Sequence, residues 1–240
     1  SGMTGGEYGV RGFVVGLDAA TGKEVWRRHT TPDPTEKAYS TWPQDDSYKR
    51  GGASTWITGS YDPELDLVFW GTGNPAPWNP RGRKGDNLYT NSVLAVKPKT
   101  GEVAWYSQTD PYDPFDHDGV NALVQADIKV DGEMKKVVMQ AHRDGFLYLL
   151  ERATGKFLKV NKFVTVNWAS GWDYKSNRPI LTQVALDALE GKKVEVWPSL
   201  SGGTNWHPMS YSPIENTLFI NAFNLGNPLE GIAHDGVTPT

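Results

Sequence analysis

The 240-residue sequence contains no cysteine, which excludes disulfide bonds, thiolate zinc sites and cysteine nucleophiles within it. It also lacks any run of 18 apolar residues, so no segment is suited to span a bilayer. Positive charge is not in excess, since 24 Lys and Arg residues stand against 28 Asp and Glu residues. The resulting net charge of -4 disfavours a nucleic-acid-binding surface.

Glycine, proline and tryptophan are abundant instead, with 26, 16 and 10 residues respectively. Gly and Pro indicate many turns, and Trp supplies large rigid side chains for packing. Helical patterns are scarce, because only residues 183–190 could form a helix, of two turns at most. This balance predicts an all-β chain with short strands.

A strand–turn–strand unit recurs three times along the chain, at residues 12–26, 92–105 and 146–158. Each copy has an apolar strand, a turn containing Thr-Gly and a second short strand, which is the pattern of a β-hairpin. A Trp closes the first two copies at the same offset, whereas the third copy has Lys159 there.

A second unit, in which a Pro-containing turn precedes a strand of bulky residues, occurs at 61–69 and again at 211–219. Repeats joined by loops of unequal length are typical of β-propellers with four-stranded blades, and at roughly 40–60 residues per blade the chain would make about four blades. A propeller must close on itself to hide its edge strands. Because four blades is at the low limit, we expect the chain to be half of a larger ring.

Four polar segments lie at predicted strand ends, where binding and catalytic residues concentrate. They are residues 4–7, 71–78, 113–119 and 142–145. If the third segment is extended, Asp116 and Asp118 point to one side and offer oxygen atoms to a hard cation. Each of the first three segments also has a simpler interpretation. Residues 4–7 could be a chain terminus with a surface Glu7, residues 71–78 an ordinary Gly/Pro turn, and residues 113–119 a solvated acidic turn.

Two further side chains are candidates for ligand binding. Arg143 could satisfy a neighbouring carboxylate, or its guanidinium could hold an anionic ligand through two hydrogen bonds. Trp56 follows the small residues 51–55, which leave one face of its ring open to a flat ligand, whereas most other tryptophans are expected to pack between blades. The five histidines show no spacing that indicates a metal site.

Several of these segments carry, in the same order, the motifs of one family. The motifs lie at residues 5–12 (GGEYGVRG), 71–79 (GTGNPAPWN), 85–90 (GDNLYT), 115–121 (FDHDGVN), 143–146 (RDGF) and 203–211 (GTNWHPMSY). Through them the chain resembles the pyrroloquinoline quinone (PQQ)-dependent alcohol dehydrogenases, the methanol/ethanol dehydrogenase family of quinoproteins. The resemblance covers nearly the whole chain and is weakest at residues 31–50 and 222–240.

The resemblance implies that residues 1–240 are part of a single, incomplete quinoprotein β-propeller domain, about four blades of an eight-bladed ring with PQQ on its axis. It implies that Asp116 and Arg143 are catalytic. The implied cofactor-binding residues are Thr4, Gly5, Gly6, Ser54, Trp56, Arg143 and Asn205, with Trp56 matching the tryptophan that stacks on PQQ. The implied metal ligands are Glu7, Asn74, Asp116 and Asp118.

The implied metal is a lanthanide(III) ion or Ca²⁺. In the calcium enzymes the position of Asp118 is commonly small or neutral, so an Asp there resembles the lanthanide-dependent branch. Glu7, Asp116 and Asp118 would supply three negative charges, which suits a trivalent ion. Without Asp118 two protein charges would remain, and these are better matched to a divalent ion.

The implied reaction is the oxidation of a primary alcohol, such as methanol or ethanol, to the aldehyde. Asp116 would accept the alcohol proton as general base, hydride would pass to C5 of PQQ, and Arg143 would steady Asp116 and the developing oxyanion. The resemblance also implies a small alcohol as substrate, a cytochrome c electron acceptor, a homodimer and a periplasmic location.

A whole family member is more than twice this long, so the chain is expected to be an internal fragment. The family's adjacent-cysteine disulfide would then lie before Ser1, and later blades would follow Thr240. Two alternatives remain open at this point. One is a non-catalytic propeller with the same repeats that serves as a protein-assembly scaffold, and the other is an inactive fragment of the enzyme.

Overall fold

The computed structural model describes residues 8–231, and within that range its regular structure is almost entirely antiparallel β-sheet. The one α-helix among the described residues, α1, spans Gln183–Leu189, which agrees with the predicted two-turn limit. The described part of the chain contains no helix that could cross a membrane. The strands are β1 (Phe13–Leu17), β2 (Glu24–His29), β3 (Ser60–Asp62), β4 (Leu67–Gly71), β5 (Ser92–Val96), β6 (Val103–Gln108), β7 (Val124–Val130), β8 (Glu133–Ala141), β9 (Phe146–Glu151), β10 (Phe157–Lys162), β11 (Ala169–Asp173), β12 (Arg178–Leu181), β13 (Val194–Val196), β14 (Ser210–Ser212), β15 (Thr217–Phe219) and β16 (Asn227–Leu229).

Two sheets are complete four-stranded propeller blades. The first has the order β3-β4-β5-β6 and the second the order β7-β8-β9-β10, so each blade is a simple meander in chain order. The remaining described strands form the pairs β1-β2, β11-β12, β14-β15 and β13-β16. The predicted all-β class and the four-stranded blade are therefore confirmed.

Each predicted repeat forms a hairpin. The copies at 12–26, 92–105 and 146–158 become β1-β2, β5-β6 and β9-β10, and each has a register shift beside its turn. The units at 61–69 and 211–219 become β3-β4 and β14-β15. The glycine of each Thr-Gly turn has a φ of +70° to +74°, which explains why glycine occupies this position in all three copies.

The repeated tryptophans connect one repeat to the next. The Trp26 indole N–H donates to the Pro98 carbonyl at 2.8 Å, and its ring covers Gly101 so closely that a Cβ there would lie 2.5 Å from a ring carbon. Trp105 covers Gly155 in the same way, at 2.4 Å. The Trp of one copy therefore packs on the Thr-Gly turn of the following copy.

The main core lies between the two complete blades and continues towards β11. It includes the fully buried Phe69, Phe146, Tyr148 and Leu150, and Trp168 closes it. Every residue of β5 is buried, as expected for an inner strand covered on both faces. This rigid layer supports the loops at the ends of the strands.

The loops that follow β4, β6 and β8 meet at one end of the blades. Successive strands of a meander are antiparallel, so β4 and β6 run in the same direction. β8 has the same place in the second blade that β4 has in the first. The three loops carry the predicted segments 71–78, 113–119 and 142–145, and direct hydrogen bonds join them.

Candidate active site

Asp118 joins the three loops. Its Oδ1 atom accepts a hydrogen bond from the Asn74 backbone N–H at 2.9 Å, and its Oδ2 atom accepts one from Arg143 Nη1 at 2.6 Å. All three residues are buried. A buried, charge-assisted hydrogen bond of this length is a strong constraint, so the loops have a fixed relative position.

Arg143 is held on several sides. Its Nη2 atom donates to the Leu200 carbonyl and lies 3.5 Å from Asp116 Oδ2, while its backbone carbonyl accepts the Gly203 N–H at 2.7 Å. The expected contact with Asp116 is present, but the contact with Asp118 is much shorter. The sequence alone did not indicate that Arg143 pairs with both carboxylates.

Asp116 has a left-handed backbone, with a φ of +61°. The 113–119 segment is therefore not extended, and strand alternation, in which alternate side chains share one side, does not apply to it. The Asp113 carboxylate creates a turn instead, because it accepts the Phe115 N–H at 2.6 Å and the His117 N–H at 3.0 Å. Asp116 and Asp118 nevertheless come together, through Arg143 rather than through strand alternation.

Gly73 and Ser54 form the side of the site next to Asp118. A Cβ on Gly73 would lie 2.3 Å from Asp118 Oδ1 and 2.7 Å from Ser54 Oγ, so a side chain cannot fit without moving them. The Gly73 N–H donates to the Ser54 carbonyl at 2.7 Å, which fixes the 51–56 segment against this loop. Trp56 follows two residues later and is half-buried.

The loop that carries Asn205 contacts the site through backbone carbonyl groups. Asn121 Nδ2 donates to the Asn205 carbonyl at 2.7 Å, and the same loop supplies the Leu200 carbonyl that contacts Arg143. The Asn205 amide donates to the Ser201 carbonyl at 2.8 Å. The implied site residues Thr4, Gly5, Gly6 and Glu7 lie outside the described residues.

A buried polar cluster formed by Asp110, Asp113 and His117 supports the Asp116 turn. One oxygen or nitrogen atom from each residue lies within 4.8 Å of the others, and His117 Nδ1 is 3.0 Å from Asp110 Oδ2. Burial, followed by the nearby Asp113 charge, raises the pKa of Asp110 well above its usual range. Burial lowers the pKa of His117, so both shifts favour the uncharged forms.

Sequence reasoning missed this cluster as a unit. Asp113 appeared only among the loop carboxylates, and His117 showed no metal-ligand spacing. In the structure the Asp113 carboxylate binds two backbone N–H groups, which makes the cluster a support for the turn. An Asp in a loop often accepts a hydrogen bond from the backbone N–H two residues later, and this tendency could have identified the role of Asp113.

The Arg143 turn has a similar support. Asp144 accepts the Phe146 N–H at 2.8 Å and the Tyr148 hydroxyl at 2.6 Å, and all three side chains are buried. Burial, reinforced by the Asp144 charge, raises the pKa of Tyr148 well above its usual value. Tyr148 therefore stays protonated and holds Asp144 from within the core.

The donor set has a clear chemical character. Two carboxylates, Asp116 and Asp118, lie on either side of the Arg143 guanidinium, and Asp118 also contacts the Asn74 backbone. Hard oxygen donors of this kind suit Ca²⁺ or a lanthanide ion. Asp116 retains 16% side-chain exposure against 10% for Asp118. Asp116 is thus the more accessible of the two to a small reactant.

Fold and site together define a β-propeller with an acidic, arginine-containing centre at one end of its blades. The comparison with known families then identifies the group. Residues 4–167 match the PQQ family of the glucose/ethanol/alcohol dehydrogenase β-propeller domain, and the chain belongs to that family. The resemblance seen in the sequence motifs is confirmed.

Individual relatives agree with this assignment. The chain is 42% identical over 232 residues to quinohemoprotein alcohol dehydrogenase ADH IIB of Pseudomonas putida, covering 91% of this chain and 33% of that protein. It is similar in structure to quinohemoprotein alcohol dehydrogenase ADHIIG from Pseudomonas putida HK5, with a TM-score of 0.86, 39% identity and coverage of 92% of this chain and 34% of that chain.

A europium-containing methanol dehydrogenase is also similar in structure, with a TM-score of 0.85 and 32% identity. That comparison covers 92% of this chain and 42% of the other chain. The chain spans about a third of the length of the curated relative ADH IIB.

Proposed function

We propose that the intact protein containing this chain is a PQQ- and metal-dependent dehydrogenase that oxidises a primary alcohol to the aldehyde. The observation that carries the proposal is the convergence of Asn74, Asp116, Asp118 and Arg143 at one end of the blades. Family membership supplies the cofactor class, because residues 4–167 match a PQQ dehydrogenase domain.

The residues of this chain fit a hard metal ion. Asn74, Asp116 and Asp118 would hold it, together with Glu7 from the segment outside the described residues. A carboxylate has about four lone-pair positions, so an oxygen that accepts a hydrogen bond can also bind a cation. Gly73 leaves room beside Asp118, where a Cβ would displace the carboxylate.

The residues also fit the base required for alcohol oxidation. Asp116 would accept the hydroxyl proton of the alcohol, which makes the carbinol C–H bond a better hydride donor. Bound PQQ would supply the two-electron acceptor for that hydride. Arg143 would hold the orientation of Asp116 and place positive charge beside the oxygen atoms of the site.

Ser54, Trp56 and Asn205 would complete the cofactor pocket, together with Thr4, Gly5 and Gly6. Ser54 and Trp56 are supported by the contact of their segment, residues 51–56, with Gly73. Asn205 is supported by the placement of its loop against Arg143.

We propose a lanthanide ion in preference to Ca²⁺. Asp118 adds a second carboxylate to Asp116 within this part of the site, and Glu7 would add a third. More anionic oxygen favours a trivalent cation. The similarity to a europium-containing methanol dehydrogenase supports the same choice.

The remaining features of the whole protein are also proposals. A soluble cytochrome c would take the electrons from the reduced cofactor, and the complete enzyme would act as a homodimer in the periplasm. These follow from the family resemblance.

Replacement of Asp116 by Asn tests the proposed function. The intact protein is loaded with PQQ and either a lanthanide or Ca²⁺, and alcohol-dependent reduction of an electron-accepting dye is measured. Loss of a general base lowers the rate by roughly 10²- to 10⁴-fold. We expect D116N to lose activity by at least this amount, because it also loses a negatively charged metal ligand.

Asp131→Asn is the matched control, because Asp131 also has a left-handed backbone, with a φ of +52°, but its side chain is 73% exposed. This control should retain full activity. PQQ absorbance and metal content are measured in the same samples. Wild-type protein that binds neither group and shows no alcohol-dependent activity would contradict the proposal and favour a non-catalytic propeller.

A further inference from the structure

Arg83 is a fully buried arginine outside the proposed catalytic set. It follows the short 3₁₀ helix Pro80–Gly82 in the loop between β4 and β5. Its relative exposure is 0%, so its guanidinium has no access to bulk water. All of its hydrogen bonds must therefore be made within the protein.

The guanidinium of Arg83 contacts separate parts of the chain. Its Nε atom donates to the Pro77 carbonyl at 2.6 Å, and its Nη1 atom donates to Asn87 Oδ1 at 2.8 Å. Its Nη2 atom donates to the Trp78 carbonyl at 3.0 Å and to the Asp113 carbonyl. One planar side chain thus binds the 74–79 loop and the 110–118 loop at the same time.

These two loops carry three of the four proposed metal ligands, Asn74, Asp116 and Asp118. Pro77 and Trp78 follow Asn74 by three and four residues. On the other loop, the Asp113 side chain binds the N–H groups on both sides of Asp116. Arg83 therefore contacts the backbone of the residue whose carboxylate shapes the Asp116 turn.

Charge makes a purely stabilising role for Arg83 a poor explanation. Burial lowers the pKa of Arg83 to about 10, although the charges of Asp113 and Asp110 oppose the shift. The side chain is still cationic at neutral pH, and burying an ion costs several kcal/mol before its partners compensate. An apolar residue of similar volume often supports a fold equally well.

We propose that Arg83 is a positioning residue that sets the distance between the 74–79 and 110–118 loops, and hence between Asn74 and the Asp116–Asp118 pair. Its planar fork can reach acceptors in two directions, which a single ammonium group cannot do. This inference rests on the proposed function of the site, since it gives the two loops a ligand to hold.

The test uses Arg83→Gln in the intact protein freed of metal and PQQ, with Arg152→Gln as the matched control. Arg152 is also buried, at 9% exposure, and it pairs with Asp62 at 2.9 Å and Asp127 at 3.2 Å. It joins the two complete blades but contacts neither site loop.

Two quantities are measured, Tb³⁺ affinity by luminescence titration and backbone hydrogen exchange in segments 72–79 and 113–119. Supporting residues behind metal ligands typically change affinity by roughly 10- to 100-fold. We expect R83Q to weaken Tb³⁺ binding within that range and to accelerate exchange in both segments. We expect R152Q to lower the unfolding temperature while Tb³⁺ affinity and exchange in the two segments stay unchanged.

Arg83→Lys separates the effect of charge from that of geometry. The same two measurements are made on it, and they replace those on R83Q if R83Q does not fold. R83K retains the positive charge but not the fork, so we expect the same direction of change in both measurements. Exchange that stays unchanged in the two segments, or rises equally throughout the chain, would overturn the positioning role. Absence of Tb³⁺ binding by the wild-type protein would contradict the metal proposal, and the exchange comparison would still decide the role of Arg83.

Discussion

Gly73 limits the shape of the site because it has no side chain. Asp118 and Ser54 both approach the position that its Cβ would occupy. The Asn74 N–H, directly after Gly73, donates to the same Asp118 carboxylate. The loop can therefore carry an amide and a nearby carboxylate only while residue 73 is glycine.

Gly73→Ala should weaken metal binding with limited loss of the fold. The added methyl group would push Asp118 away from Asn74, and a comparable disturbance behind metal ligands costs roughly 10- to 100-fold in affinity. Overpacking typically costs about 1–3 kcal/mol of stability. Titration of the intact protein with Tb³⁺ measures the first effect, and thermal unfolding measures the second.

Gly171→Ala is the control for this experiment. A Cβ at Gly171 meets no atom within 4 Å, and its backbone is outside the left-handed region. It should bind Tb³⁺ as the wild type does. Equal Tb³⁺ affinity in G73A and the wild type would show that the close approach to Asp118 is unimportant for binding.

At the residue scale, the sequence indicated candidate side chains, and their roles in binding and catalysis stay predictions. Asp116, Asp118 and Arg143 were chosen as chemically unusual groups in loops, and the structure brings them together. Arg83 and Asp113 could not be assigned roles, because those roles depend on backbone atoms far away in sequence. A hydrogen bond from Arg83 to the Asp113 carbonyl leaves no pattern in the residue types.

At the scale of elements, the Thr-Gly hairpin is both a turn and a docking surface. Gly22, Gly101 and Gly155 have nearly the same φ, so the turn geometry alone requires glycine in each copy. Their surroundings differ, because the rings of Trp26 and Trp105 cover Gly101 and Gly155. No atom lies within 4 Å of a Cβ built at Gly22.

This difference separates backbone strain from packing. Gly22→Ala should cost only the left-handed backbone penalty, about 1–2 kcal/mol. Gly155→Ala should cost that penalty plus about 1–3 kcal/mol for displacing Trp105. The two unfolding free energies are compared by denaturant titration of the same protein preparation. Equal losses in G22A and G155A would mean that the Trp105 contact contributes no stability.

Hairpins were the most predictable elements. Their turn residues and apolar strands are local in sequence, and the repeated copies reinforced each other. The conformation of the 113–119 segment was left open by the sequence, because period-2 alternation applies only to an extended segment. The Asp113 carboxylate forms a turn there instead, since side-chain hydrogen bonds to nearby N–H groups compete with strand geometry.

At the scale of the whole molecule, the site depends on contacts between blades. Asn74 follows β4 of the first blade, and Arg143 follows β8 of the second. Asp118 lies on the connection between the blades and bonds to both. The arrangement requires the propeller to hold neighbouring blades in a fixed relation.

The blade repeat was visible in the sequence, but the blade-to-blade geometry was not. Composition and turn motifs predicted four-stranded antiparallel blades, which two sheets show in full. The support for the loops comes from buried polar groups such as His117 and Asp144, whose partners are determined by tertiary packing. Sequence spacing could identify the candidate ligands but could not give the distances between them.

Anomalous X-ray diffraction from the intact protein, crystallised with a lanthanide salt, tests the central claim most directly. The account predicts one ion bound by oxygen atoms of Asn74, Asp116 and Asp118, together with Glu7, at distances near the roughly 2.3–2.6 Å typical of hard-cation sites. An ion bound instead by Asp110, Asp113 and His117, or an anomalous map without a peak beside Asp116, would contradict it.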